Sequence, residues 1–157
     1  MLAGLAGRAP VGMRTASWDF SVNTLRVIRE MKLLYDSSLM ADDDAYELID
    51  DGEPTGIVEL PPEWIRDDAV YFNMLRFSAL RPYTPPSAVE EIFRAEFDGA
   101  WQEGGLFLLT MHPHIIGHRS RIALLERLVA HMQARGGCWF ATHADVARWC
   151  LQHAAKE

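Results

Sequence analysis

Hydrophobic positions along this chain fall into two patterns, short apolar runs and longer stripes at helical spacing. The runs at 10–15 (PVGMRT), 33–38 (LLYDSS), 57–61 (IVELP), 106–111 (LFLLTM) and 138–142 (CWFAT) predict strands. The 106–111 run is continuous, as in a strand buried on both faces. Between the runs, 21–32 sets Val22, Leu25, Ile28 and Met31 on one helical face behind a Ser21 N-cap. The 87–102 stretch is the clearest helix. Its stripe of Val89, Ile92, Phe93, Phe97, Ala100 and Trp101 follows a Ser87–Glu90 capping box and ends at Gly104-Gly105. A helix over 120–134 turns Ile122, Leu125, Leu128, Val129 and Met132 inward, and Thr142 caps a last one carrying Val146, Trp149 and Cys150. The acidic stretch 41–56 reads as a solvated loop. Strand–helix alternation predicts an α/β fold with parallel strands and helical crossovers.

Composition narrows the function classes. A length of 157 residues fits one domain, 1–157, and 49% hydrophobic against 24% charged residues supports a packed core. A net charge of -7, with no basic run, argues against a nucleic-acid partner, since phosphate contacts need clustered Lys and Arg. Cys138 and Cys150 make no disulfide framework and read as small core residues, which predicts a reducing, cytoplasmic setting. Arg8 and Pro10 interrupt the apolar start too early for a signal peptide, and no run predicts a membrane span.

In parallel α/β folds chemistry gathers at the carboxyl ends of strands. Arg14, Asp36 and His112 each follow a predicted strand there. On its residues alone His112 reads as a strand-end histidine bonded to a loop. Arg14 has Asp19 and Asp36 as structural salt-bridge partners. His114 and His118 have the spacing of a metal-binding pair, but Gly117 weakens any helix that would align their rings, so both are read as bystanders. Asp67-Asp68 reads as an exposed acidic turn, and Trp18 and Trp64 as core or groove aromatics.

Four stretches, in order and spacing, resemble the polysaccharide deacetylase (NodB-homology) family: PVGMRTASWDFSVNTLRVIREMKLLYDSSLM, IVELPPEWIRDDAVYF, GGLFLLTMHPHIIGHRSRIALLERL and WFATHADVARW. The peptidoglycan-deacetylase-like and allantoinase-like branch is the nearest in pattern. The resemblance implies a partial (β/α) barrel of the NodB-homology type with the N-terminal strands missing. It implies hydrolysis of a non-peptide amide C–N bond, in an N-acetyl sugar or a small or cyclic amide, usually with a divalent metal such as zinc. It also implies that Arg14 orients a base, that His112 protonates the departing amine, and that Trp18, Trp64 and Asp68 line a substrate groove. Imidazole is well matched to that proton transfer near neutrality, and guanidinium holds carboxylates bidentately.

The family's early motifs, an Asp-rich turn and a His-Ser/Thr-x-x-His pair, occur nowhere in the 157 residues. The expectation is therefore a truncated hydrolase that is inactive alone. The alternative is a non-catalytic, degenerate half-barrel that serves as a structural or binding element. Either would expose strand edges that invite self-association.

Overall fold

The computed structural model describes residues 2–73 and 84–153. In chain order the elements are helices α1 (Leu2–Ala6) and α2 (Thr24–Glu30), strands β1 (Tyr35–Asp36), β2 (Tyr46–Asp50) and β3 (Glu53–Glu59), and helix α3 (Asp68–Phe72). Helices α4 (Pro86–Glu103), α5 (Pro113–Ile116), α6 (Arg119–Arg135) and α7 (His143–His153) follow. They group into two compact units, Met1–Pro62 with Phe140–Glu157, and Glu63–Trp139. No described helix is long and apolar enough to cross a membrane.

The first unit holds a mixed sheet in the order β1-β3-β2. β1 and β3 are parallel, with Tyr35 opposite Val58 and Asp36 opposite Glu59. β2 and β3 are antiparallel, which corrects the expectation of parallel strands throughout. The stretch expected to be an acidic loop is thus half of a hairpin. Asp51 and Gly52 adopt φ of 50° and 85°, the left-handed pair that a tight hairpin turn requires, and an Asp-Gly dipeptide supplies it most readily. β3 accordingly starts at Glu53, ahead of the predicted Ile57. The 10–15 run makes only an isolated bridge, Gly12 to Tyr35. A Cβ at Gly12 would strike the Tyr35 ring, so close approach explains that glycine.

Helix α2 is entered at Asn23, while the Ser21 hydroxyl bonds the Thr24 hydroxyl at 2.9 Å. At α7 the expected cap forms: Asp145 N–H donates to Thr142 Oγ1 at 3.2 Å, and that hydroxyl donates to Asp145 Oδ2 at 2.6 Å. The core of this unit is Ile28, Leu33, Leu48 and Ile57.

In the second unit α4 packs on α6 around Phe93, Phe97, Val89, Leu124, Leu128 and Met132. The buried face of α6 runs through Leu124, and Ile122 is 37% exposed, a correction to the predicted stripe. α4 begins behind Pro85 without a side-chain cap, so the Ser87–Glu90 box does not form. Glu90 instead accepts from Arg127 on α6 at 2.6 Å and from Arg94 one turn on. Gly104, at φ 74°, ends the helix as expected.

Two more predicted strands, besides the 10–15 run, are not strands. Residues 106–111 form a single parallel bridge, Thr110 to Asp67, and only Leu108 among them is buried. Residues 138–142 are irregular, with Trp139 and Phe140 59% and 61% exposed. Apolar composition favours a strand only where a neighbouring ladder answers its N–H and C=O groups. Replacing the fully buried Phe93 by Ala should destabilise the second unit by about 3–5 kcal/mol, measured as a lowered urea midpoint with an unchanged far-UV spectrum before the transition.

Candidate active site

The second unit brings Asp67, Asp68 and His112 together, with their potential ligand atoms all within 4.8 Å of one another. Backbone pairing does the positioning. Thr110 N–H donates to Arg66 O at 2.8 Å and Asp68 N–H to Thr110 O at 3.2 Å, laying the two segments side by side. Arg66, itself buried, pairs with Glu96 of α4 at 3.3 Å and holds the turn Trp64–Arg66 against that helix. Asp67 caps α3, its Oδ1 accepting from Ala69 N–H at 2.6 Å. Asp68 then occupies the first turn, where a carboxylate is favoured by the helix dipole. Two residues past Thr110, His112 opens α5, and its carbonyl accepts from Ile115 and Ile116.

Asp68 is fully buried, and His112 satisfies it three ways. The His112 backbone N–H lies 3.1 Å from each carboxylate oxygen, and Nδ1 lies 2.7 Å from Oδ1. A carboxylate only accepts, so Nδ1 carries the proton. In the neutral ring Nε2 is then left with its lone pair on a side chain that is 39% exposed. Such a ring can take up and release a proton at Nε2 while Asp68 holds its orientation.

As bonded, the trio offers a metal Nε2 of His112 rather than Nδ1, because Nδ1 donates to Asp68, while Asp67 Oδ1 accepts from the α3 cap. His114 stacks edge-on near His112, with ring centroids 5.8 Å apart. His114 and His118 join no group of three or more candidate ligands among the described residues.

Arg14 and Trp18 lie in the first unit. Arg14 Nε donates to the Ser37 carbonyl at 3.0 Å and Nη2 to the Ser37 hydroxyl at 2.7 Å, so its guanidinium is anchored on the turn after β1. Trp18 is half-buried, at φ 58°. In the second unit Trp64 is 51% exposed, as a groove residue would be. Asp68 is not a groove surface: it lies under His112. Nor is the Asp67-Asp68 turn exposed, since both side chains are buried.

Sequence reasoning missed the Asp68–His112 bond. The two are far apart in the chain, and only the parallel bridge at Asp67 and Thr110 makes them neighbours. It also missed a second buried carboxylate group, Asp36 with Glu59, in the first unit. The signal for it was a lone acid inside the apolar run IVELP.

No family profile matches the chain. Individual proteins do. A crystal structure described as a polysaccharide deacetylase from Mycobacterium smegmatis superposes with a TM-score of 0.83 at 34% identity, covering 94% of this chain and 51% of that one. The chain is thus a relative of the polysaccharide deacetylases, with a mixed α/β fold matching about half of their structures. The peptidoglycan deacetylase of Helicobacter pylori is 23% identical over 94% of this chain and 59% of its own length. A crystal structure of Puue allantoinase gives a TM-score of 0.80 at 25% identity, over 98% of this chain and 50% of that one. The chain therefore spans only part of the length of the relatives it matches.

Asp68→Ala should abolish the fixed tautomer of His112, seen in long-range 1H–15N spectra as loss of the Nδ1–H pattern. Because a buried donor loses its acceptor, it should also destabilise the unit by about 1–3 kcal/mol in urea titrations.

Proposed function

We propose that this chain is the His112-bearing portion of a polysaccharide deacetylase-like hydrolase, a partial (β/α) barrel acting on a non-peptide amide C–N bond. The observation that carries the reading is the Asp68–His112 pair, with Nδ1 held at 2.7 Å and Nε2 left for proton transfer. An amine departs from a tetrahedral intermediate only once protonated, and His112 Nε2 is the proposed donor. Asp68 is the positioning residue that fixes the ring. Arg14 is assigned the orientation of a carboxylate base, and Trp18 and Trp64 contact with substrate.

N-acetylated glycans are the favoured substrates, because the relatives named above include a peptidoglycan deacetylase, with small cyclic amides next because they include an allantoinase. The resemblance implies a divalent metal such as zinc, and the roles given to His112, Asp68 and Arg14 do not depend on it. Half-buried free Cys138 and Cys150 favour a reducing, cytoplasmic setting.

Without the Asp-rich turn and the His-Ser/Thr-x-x-His pair, the 157 residues alone should release no measurable acetate from N-acetylglucosamine oligomers, with or without added zinc. The natural gene product, expressed with any in-frame sequence ahead of Met1, is the decisive sample. If it hydrolyses N-acetyl sugars or allantoin, His112→Ala should lower kcat by about 10²–10⁴-fold. An active gene product indifferent to that substitution would overturn the assignment of His112. A gene product inert toward both substrates would favour the non-catalytic, binding half-barrel.

A further inference from the structure

We propose that Asp36 and Glu59 share a single proton between their buried carboxyls and, through Ser37 and Ser38, act as positioning residues for the Arg14 guanidinium. The inference rests on the reading above only for what Arg14 does in turnover. The proton and its link to Arg14 do not depend on that reading.

Both side chains are fully buried, and they sit opposite each other at the carboxyl ends of the parallel strands β1 and β3. Glu59 Oε1 accepts from the backbone N–H groups of Ser38 at 2.6 Å and Leu39 at 2.9 Å. Glu59 Oε2 and both oxygens of Asp36 have no well-formed partner among the described residues. The two face each other in the register of β1 and β3, so three buried carboxyl oxygens without partners meet in one site, and acceptors placed so can answer one another only through a proton. Like charges in one dry site force the same outcome. Burial raises both groups, Glu59 to about 8 with the Asp36 charge adding to the shift.

The connection to Arg14 is a short chain of bonds. Glu59 fixes the 38–39 backbone, Ser38 Oγ accepts from Thr15 N–H at 2.9 Å, and Ser37 accepts from Arg14 through its carbonyl and its hydroxyl. The Ser37 hydroxyl itself donates to Leu60 O at 2.7 Å, tying the turn to the end of β3. A second negative charge at Asp36–Glu59 would strain the turn on which both Arg14 and Thr15 hang.

The surrounding titratable groups leave a window in which the pair can be seen. On β2, Tyr46 is raised above its ordinary 10.0 by burial and by the two carboxyls, with Asp42 adding to them. On α7, burial and the Arg14 charge hold His143 below 6.5, and burial raises Cys150 above 9.0, with Asp44 adding a little. Arg14 is charged throughout. Between about pH 6.5 and 9 the pair is therefore the group that titrates in this part of the unit. Because Glu59 in the folded chain lies above its ordinary 4.5, folding takes up a proton between about pH 4.5 and 8. Stability is full below about pH 4.5 and is lost as pH rises through about 8.

The test uses the full 157-residue chain as wild type, Glu59→Gln and Asp36→Asn. A glutamine at 59 keeps an oxygen for the Ser38 and Leu39 N–H groups and removes the titration. Wild type should show an unfolding constant that rises by up to about tenfold per pH unit up to about pH 8 and levels off above it, a dependence lost in Glu59→Gln. The Arg14 Nε–H resonance, assigned by its disappearance in Arg14→Lys, should shift with the same midpoint in wild type and stay still in Glu59→Gln. If Glu59→Gln does not fold, Asp36→Asn carries the comparison. If neither folds, the wild-type Arg14 titration decides alone. An Arg14 signal that is flat across the wild-type window, or that moves identically in a folded variant, would overturn the proposal. No readout is catalytic, so the hydrolase reading can fail while this one holds.

Discussion

Carboxylates buried away from cations govern this molecule. Removing such a group from water is tolerated only when N–H groups surround its charge or a proton cancels it. Each unit takes one of these routes. In the second unit Asp68 stays in contact with three donor geometries from a single residue, His112. In the first, Glu59 receives two backbone N–H groups and faces another acid instead of a base. Neither arrangement survives a change in local backbone path, because main-chain N–H groups are among the donors in both. The demand for donors therefore ties the backbone around Ser38 and around His112 to the buried acids.

That demand gives His112 its character. A histidine at the end of an apolar run is unremarkable until its Nδ1 is committed; the commitment to Asp68 leaves a half-exposed Nε2 as the chemically available atom. The α3 cap at Asp67 sets the direction of approach by placing Asp68 in the first turn. Arg66 contributes indirectly, clamping the preceding turn onto α4 through Glu96. The Asp68–His112 pair is thus assembled from a helix start, a helix cap and one bridge.

Much of the helical structure was legible because amphipathic stripes report burial directly. The stripe over 87–102 and the glycine stop at Gly104 became α4 nearly as written. The strands were less legible. The apolar run at 106–111 finds only one bridge, whereas the acidic stretch before Gly52 becomes β2, since strand formation depends on a neighbour's hydrogen bonds as much as on side chains. His112 stood out by its place at the end of a run. Its partner did not, because nothing local in Asp67-Asp68 distinguishes a buried acid from a solvated turn. Glu59 carried a readable clue, an acid among Val58, Leu60 and two prolines, but its companion Asp36 is set by a parallel register that no local pattern encodes.

The hairpin turn at Asp51-Gly52 also has a consequence for the order in which the first unit assembles. β2 and β3 are joined by a tight turn, so their pairing closes a very short loop and forms on the microsecond scale typical of hairpins. β1 joins β3 in parallel from farther along the chain, against a larger loss of chain entropy. The hairpin is therefore a template already in place when β1 arrives. Asp36 and Glu59 lose their water together at that docking step, which makes their meeting a late and acid-favoured event in folding.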